Sequence, residues 1–147
     1  MKRLLILSLV FLSFGCSKDN KPLTKTELLS RTWRQTDILA SLGGGAQSSV
    51  FNTVLTPCQQ DNLWKFNSNG TYTVLEGTTK CPTSTTDVVS TGTWAFLENE
   101  TKLTFTDATN GTQTFTISEL TAASMKLSGT ATYQGTPVSA LVIFTAN

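Results

Sequence analysis

The chain has 147 residues, with 11 Lys+Arg against 10 Asp+Glu and a formal net charge of +1. That is the size of one domain, and the near-neutral balance supplies no basic footprint for nucleic acid. The absence of histidine removes the commonest general base and the commonest metal ligand together, while 41 Ser and Thr against 14% charged residues lean the chain toward strands.

Lys2 and Arg3 precede an apolar run, residues 4–14, interrupted only by Ser8 and Ser13. As a helix at ~1.5 Å per residue it spans roughly 16 Å, about half of a bilayer core, so it suits a signal h-region and not a transmembrane helix. The run ends Leu12-Ser13-Phe14-Gly15-Cys16, which resembles the lipobox of bacterial lipoproteins. The resemblance implies a signal peptide over 1–15 and Cys16 as the acylated first residue of the mature chain, bound to membrane lipid. Ser13 and Phe14 depart from the common pattern, and the competing reading is an ordinary secretory signal with an incidental cysteine. Residues 16–23 form a polar tether. Its Lys18-Asp19 step is similar to the acidic signals that send some Bacteroidota lipoproteins to the outer face of the outer membrane, which makes the outer membrane of the cell envelope the expected location.

Removing 1–15 leaves 9 basic and 10 acidic side chains. The expected folded unit is 24–147. Thr24-Lys25-Thr26-Glu27 matches the capping-box pattern and predicts one short helical turn ending near Ser30. A first strand is expected over 32–40, then a flexible loop at Gly43-Gly44-Gly45. Residues 47–56 carry helical spacing but residues that weaken a helix, so an irregular loop with one helical turn is expected.

Strand-like runs at 62–66 and 71–75 flank Asn69-Gly70, the strongest short hairpin signal. Facing positions across a two-residue loop there sum to 139, and across a type I turn with a bulge at Gly70 to 138. Cys58 and Cys81 sum to 139, so with Cys16 acylated they form an even pair that the hairpin brings together as a disulfide. Such a bridge stabilises by roughly 3 kcal/mol in the chain-entropy model. Residues 77–90 read as loop, with a strand from Val88.

Period-2 alternation then continues through Trp94/Phe96, Leu103/Phe105, Phe115/Ile117 and Met125/Leu127, with turn signals at Glu98-Asn99, Asn110-Gly111 and Gly135. The last run, 138–145, is apolar on both faces. Each strand shows Thr, Ser or Lys on its other face, so the apolar faces must meet one another. The expected fold is all-β: an antiparallel up-and-down barrel of about eight strands with a short N-terminal helical turn. A flat sandwich is the alternative.

The stretch Cys58-Gln59-Gln60-Asp61-Asn62-Leu63-Trp64-Lys65-Phe66-Asn67-Ser68-Asn69-Gly70-Thr71-Tyr72 resembles a hallmark segment of the lipocalin-like lipoproteins of Bacteroidota. So do Gly77 with Cys81, Gly92-Thr93-Trp94 and Lys102-Leu103-Thr104-Phe105, while Leu28-Leu29-Ser30-Arg31-Thr32-Trp33 is similar to the family's first strand. The resemblance spans 24–145 and implies a calycin-type barrel. Two departures stand out. Arg31 replaces the glycine of the lipocalin Gly-x-Trp, and no basic residue follows Lys126 to pack over the first-strand tryptophan.

The leading functional expectation is a barrel that binds a small hydrophobic ligand, with Trp64, Phe66, Tyr72, Trp94, Phe96, Phe105 and Phe115 as candidate lumen lining. The bland reading is that these aromatics are simply core. An enclosed apolar pocket of ~300 Å³ separates the two. The second class is a surface interaction or inhibitor module with a filled barrel and an unknown protein partner. It would show an exposed apolar patch on one rim. Enzymatic function is not expected: Asp61, Glu76, Asp87, Asp107 and Glu119 are scattered, with no basic or metal partner at a meaningful spacing. Glu98 and Glu100 flank a turn, and no phosphate loop follows the glycines. No catalytic residue, metal site or cofactor is assigned.

Overall fold

The computed structural model describes residues 21–133 and 135–147. The apolar leader, Cys16 and most of the tether therefore lie outside the described residues. The first element is built on Thr24. Its hydroxyl accepts the Glu27 amide at 3.2 Å, and its own amide donates to the Glu27 carboxylate at 2.7 Å. This reciprocal capping box starts helix α1 (Lys25–Leu29), which lasts little more than one turn.

Nine strands follow: β1 (Thr32–Leu42), β2 (Ser48–Ser49), β3 (Leu63–Phe66), β4 (Thr71–Leu75), β5 (Val88–Leu97), β6 (Lys102–Asp107), β7 (Gly111–Leu120), β8 (Ser124–Tyr133) and β9 (Thr136–Ala146). Helix α2 (Phe51–Val54) lies between β2 and β3. The first strand runs two residues beyond its expected end. The ambiguous 47–56 segment resolves into β2 and the single turn of α2. From β3 onward every strand pairs antiparallel with its sequence neighbour, and β9 returns to β1 from Trp33 opposite Ala146 to Leu42 opposite Val138. All strands but β2 thus form a closed eight-stranded antiparallel barrel. The last run, apolar on both faces, becomes β9, paired with β8 on one side and β1 on the other.

The β3–β4 hairpin settles which turn is used. Leu63 faces Leu75 and Phe66 faces Tyr72, so facing positions sum to 138. Gly70 carries the bulge at φ 84°, in the left-handed region that suits a residue without Cβ.

Period-2 burial makes the core. Trp33, Phe66, Tyr72, Val74, Trp94, Leu103, Phe105, Met125, Leu127 and Phe144 all point inward and are buried, with Leu29 of α1 packed beneath them. The two ends of the barrel differ. At the closed end lie α1 and the tight turns 67–70, 98–101 and 121–123. There the Trp33 indole donates to the Leu29 carbonyl at 3.0 Å, and Arg31 donates to the Ala122 carbonyl at 2.6 Å. At the open end lie the long connections 43–62 and 76–87 and the turn 108–110. The β1–β3 seam is the weak join, with only three facing pairs, Thr32–Lys65 to Arg34–Leu63. Higher on that edge β2 pairs with Leu39 and Ala40, and Val50 donates its amide to the Ile38 carbonyl at 2.8 Å.

The β5–β6 turn carries backbone strain. Glu98, Asn99 and Glu100 have φ of 50°, 54° and 61°. The left-handed region costs an L-residue roughly 1–2 kcal/mol, and Asn tolerates it better than Glu. Replacing Glu100 by Gly is expected to raise stability by about 1 kcal/mol in urea unfolding, net of the entropy that glycine adds to the unfolded chain. An unchanged or lower midpoint would show that the turn is not strained at this residue.

Candidate functional site

The seven aromatics expected to line the lumen divide by depth. Phe66, Trp94 and Phe96 pack together toward the closed end, with ring centroids 6.5 Å apart for Phe66–Trp94 and 5.3 Å for Trp94–Phe96. The Trp94 indole is held there by the carbonyls of Asn67 and Thr71, each at 3.1 Å. Tyr72 is also buried in packed core. Trp64, Phe105 and Phe115 instead border an apolar chamber of about 160 Å³, completed by Gln35, Leu127, Val142 and Phe144. The lower barrel is therefore filled, and the apolar void alone is about half the expected threshold.

That void does not stand alone. Gln35 and Trp64 also border a second chamber of about 490 Å³ at the open end, lined further by Leu55, Gln59, Asn62, Val74, Val89, Ser90, Asp107, Thr109 and Asn110. The interior thus grades from an apolar floor to a polar mouth, with Trp64 between. Its ring lies 5.8 Å from Tyr72 and 5.9 Å from Phe144.

The polar mouth follows from the residues that build it. Tyr72, Gly92 and Asp107 occupy one row across β4, β5 and β6. A Cβ on Gly92 would lie 2.6 Å from the Tyr72 ring, so only glycine lets that ring cross β5. The Tyr72 hydroxyl then donates to Asp107 at 3.0 Å. Asp107 also accepts the backbone amides of Thr109 at 2.8 Å and Asn110 at 2.7 Å, an Asx turn that shapes the rim. These donors, Asn110 foremost, lower its pKa to about 2. Burial, reinforced by the bond to Asp107, pushes the Tyr72 phenol up to about 12.

The long loops over the mouth are held in place. Cys58 and Cys81 form a disulfide with Cα atoms 5.0 Å apart, tying 55–62 to 76–87. Asp61 accepts the Thr79 amide at 2.8 Å. Gly77 sits so close to Asp61 that a side chain there would collide with it. Glu76, itself buried, accepts from Cys81 and Ser84.

Two of the acids read from sequence as unpartnered do have basic partners. Lys80 pairs with Asp87 across the loop, and Lys126 pairs with Glu119 at 2.7 Å because the β7–β8 register sets them opposite each other. The Lys126 ammonium lowers the Glu119 pKa. All five carboxylates are thus engaged in holding loops or strands. Among the described residues no cluster of His, Cys, Asp or Glu could hold a metal ion.

Sequence reasoning missed Gln35, Asn62, Leu127, Val142, Phe144 and Asp107 as chamber residues. Leu127 and Phe144 belonged to apolar runs, whose alternation gave their inward face but not their depth. Asn62 opened the strand-like run 62–66 and Asp107 was one of the scattered acids, and neither carried a signal for the chamber.

A closed eight-stranded antiparallel barrel, plugged by a helix at one end and opening through a graded cavity at the other, is a lipocalin-like architecture. The family model described as lipocalin-like domain matches residues 29–127, and the chain belongs to that family. No curated protein matches the chain.

The Asp107 shift fixes a sign. A carboxyl lowered from 3.8 to about 2 adds stability that is fully present above pH 3.8 and is lost as pH falls through about 2. Asp107→Asn is therefore expected to flatten the fall of the thermal midpoint across that window. Glu27 and Glu119, whose pKa values are also lowered, keep some slope in the variant. Parallel curves for the two proteins would refute the role given to Asp107.

Proposed function

We propose that this chain is a lipid-anchored lipoprotein of the cell envelope whose barrel binds a small, largely hydrophobic ligand through its open end. The observation that carries the binding reading is the adjacency of the two chambers, which have Gln35 and Trp64 as common wall. The apolar one of about 160 Å³ shares Gln35 and Trp64 with the mouth chamber of about 490 Å³, so an apolar group can be buried while its other end stays in polar surroundings. Small-ligand binding also agrees with membership of the lipocalin-like family. Binding, and not catalysis, is the role proposed: the mouth carboxylates are engaged structurally, and the chain has no histidine.

Anchoring rests on the sequence. Two or three acyl chains on Cys16, at ~0.8 kcal/mol per buried methylene, would hold the protein firmly to a membrane. Helix α1, the first element after the tether, lies under the closed end, so on this reading the open end points away from the lipid. Display on the outer face of the outer membrane is the location proposed.

One observation favours the second reading, a protein-interaction module. Leu42, Val54, Val88 and Val89 are 59%, 56%, 46% and 46% exposed, and all belong to segments at the open end. Native mass spectrometry of the domain purified from its host distinguishes the two. A co-purified small molecule supports the binding barrel, and an empty barrel with a co-purified protein favours the interaction module.

Two further outcomes are expected. Val142→Phe fills the apolar chamber and should weaken binding of the uncharged fluorophore N-phenyl-1-naphthylamine by about tenfold or more, at an overpacking cost of roughly 1–3 kcal/mol in stability. Unchanged affinity would place the probe elsewhere. Cys16→Ala should move the protein from the membrane to the soluble fraction. Continued tight attachment would refute the anchor.

A further inference from the structure

The mouth chamber has a one-sided polarity. Among the described residues that border either chamber, the single charged side chain is Asp107, with no Lys or Arg. The other polar side chains there are Gln35, Gln59, Asn62, Ser90, Thr109 and Asn110, all uncharged. The nearby lysines and the arginine do not supply a countercharge. Lys80 is paired with Asp87, and Arg34, itself exposed, borders a neighbouring surface depression with Asp61 that has Gln35 in common with the chambers.

Asp107 keeps its charge without help from a ligand. Tyr72, Thr109 and Asn110 already donate to both of its oxygens. It therefore acts on an incoming group through its field, which at this solvent-accessible rim is partly screened by water and salt and is felt only at short range. Asn62 adds a second observation. It is 7% exposed and borders the same chamber, yet its carboxamide oxygen has no hydrogen-bond partner among the described residues. A buried acceptor left unpaired costs stability, and a donor would recover that cost only after a shift of the Asn62 side chain that exposes its oxygen to the chamber.

Resting on the binding reading above, we infer that the barrel selects amphiphiles whose head group is a hydrogen-bond donor, cationic or uncharged, and rejects those with an anionic head. The apolar portion occupies the chamber between Trp64, Phe115, Leu127 and Val142. The head stays in the mouth, in the field of Asp107 and within the polar ring that contains Asn62. A carboxylate, sulfate or phosphate head would be desolvated beside a fixed negative charge with no cation to offset it. On this account fatty acids are poor ligands, even those whose chain is short enough for the apolar chamber.

A chain-matched series tests the inference in the folded, disulfide-intact protein. Octylamine, 1-octanol and octanoate are titrated at pH 7.5 and low ionic strength, below micelle formation, by calorimetry and by Trp64-sensitive fluorescence. Octylamine and octanol are expected to bind at least about tenfold more tightly than octanoate, and added salt should narrow the gap between the amine and the carboxylate. In Asp107→Asn the gap between the amine and octanoate should shrink, while octanol binding stays nearly unchanged. The exposed chamber residue Val89 offers a second variant that leaves the core intact: Val89→Lys should bring octanoate up toward octanol. Octanoate binding as tightly as octylamine to the wild-type protein overturns the inference and leaves the binding barrel standing. Failure of all three probes to bind removes both.

Discussion

The β1–β9 pairing is the constraint on which the rest of the structure depends. Every strand from β3 to β9 has one apolar face, and such a sheet left open would expose two unpaired edges and half of its aromatic side chains. Joining Trp33–Leu42 to Val138–Ala146 removes both problems at once, because it converts an inner face into an interior. The opposite side of β1 is held to β3 by three facing pairs only, so the barrel is firmly closed on one side of its first strand and lightly on the other.

That asymmetry governs where a cavity can exist. Toward the closed end, short turns bring strand ends together, and Phe66, Trp94, Leu103 and Met125 fill the space above Leu29 and Trp33. Toward the open end the β1–β3 seam separates, the connections lengthen, and the inner faces of β1 and β9 carry residues as small as Ala40 and Ala140. The loops that span the gap bury little apolar mass of their own. They are ordered by the Cys58–Cys81 bridge and by carboxylates accepting backbone amides. Asp61, Glu76, Asp87 and Asp107 therefore organise the mouth, and their scatter in the sequence reflects the several loops that meet there.

How much of this the sequence contained depends on which force sets each feature. Alternation sets strand faces, so Trp64/Phe66, Leu103/Phe105 and Met125/Leu127 point inward as their period requires. The Asn69-Gly70 signal specified the hairpin, and the cysteines, whose positions sum to 139, meet within one residue of its observed register of 138. Two features were beyond pattern reading. Depth along the barrel axis is a property of stagger between strands, so nothing local distinguishes Phe66, in filled core, from Phe105, on a chamber wall. Long-range polar contacts are equally invisible: the Tyr72–Asp107 bond spans 35 positions and exists because Gly92 leaves room between them.

The size of the lumen rests on few side chains, and this bears on what such a barrel can become. The walls are fixed by backbone pairing, whereas the apolar chamber is bounded by Trp64, Phe105, Phe115, Leu127, Val142 and Phe144 with one polar neighbour, Gln35. Phe115 enters the interior against Gly129, where a Cβ would already stand 3.0 Å from its ring, so its position is set by the partner strand. Val142 faces Ile38 on one side and Leu127 on the other, and it has no comparable constraint. One inward residue on β9 can therefore change the volume while closure, the helix plug and the rim remain as they are. The groups proposed to meet a ligand's head group belong to different strands and loops, β6 with Asp107 and the segment before β3 with Asn62. Chamber size and head-group preference are physically separable in this fold, and substitutions more than one strand apart can adjust each alone.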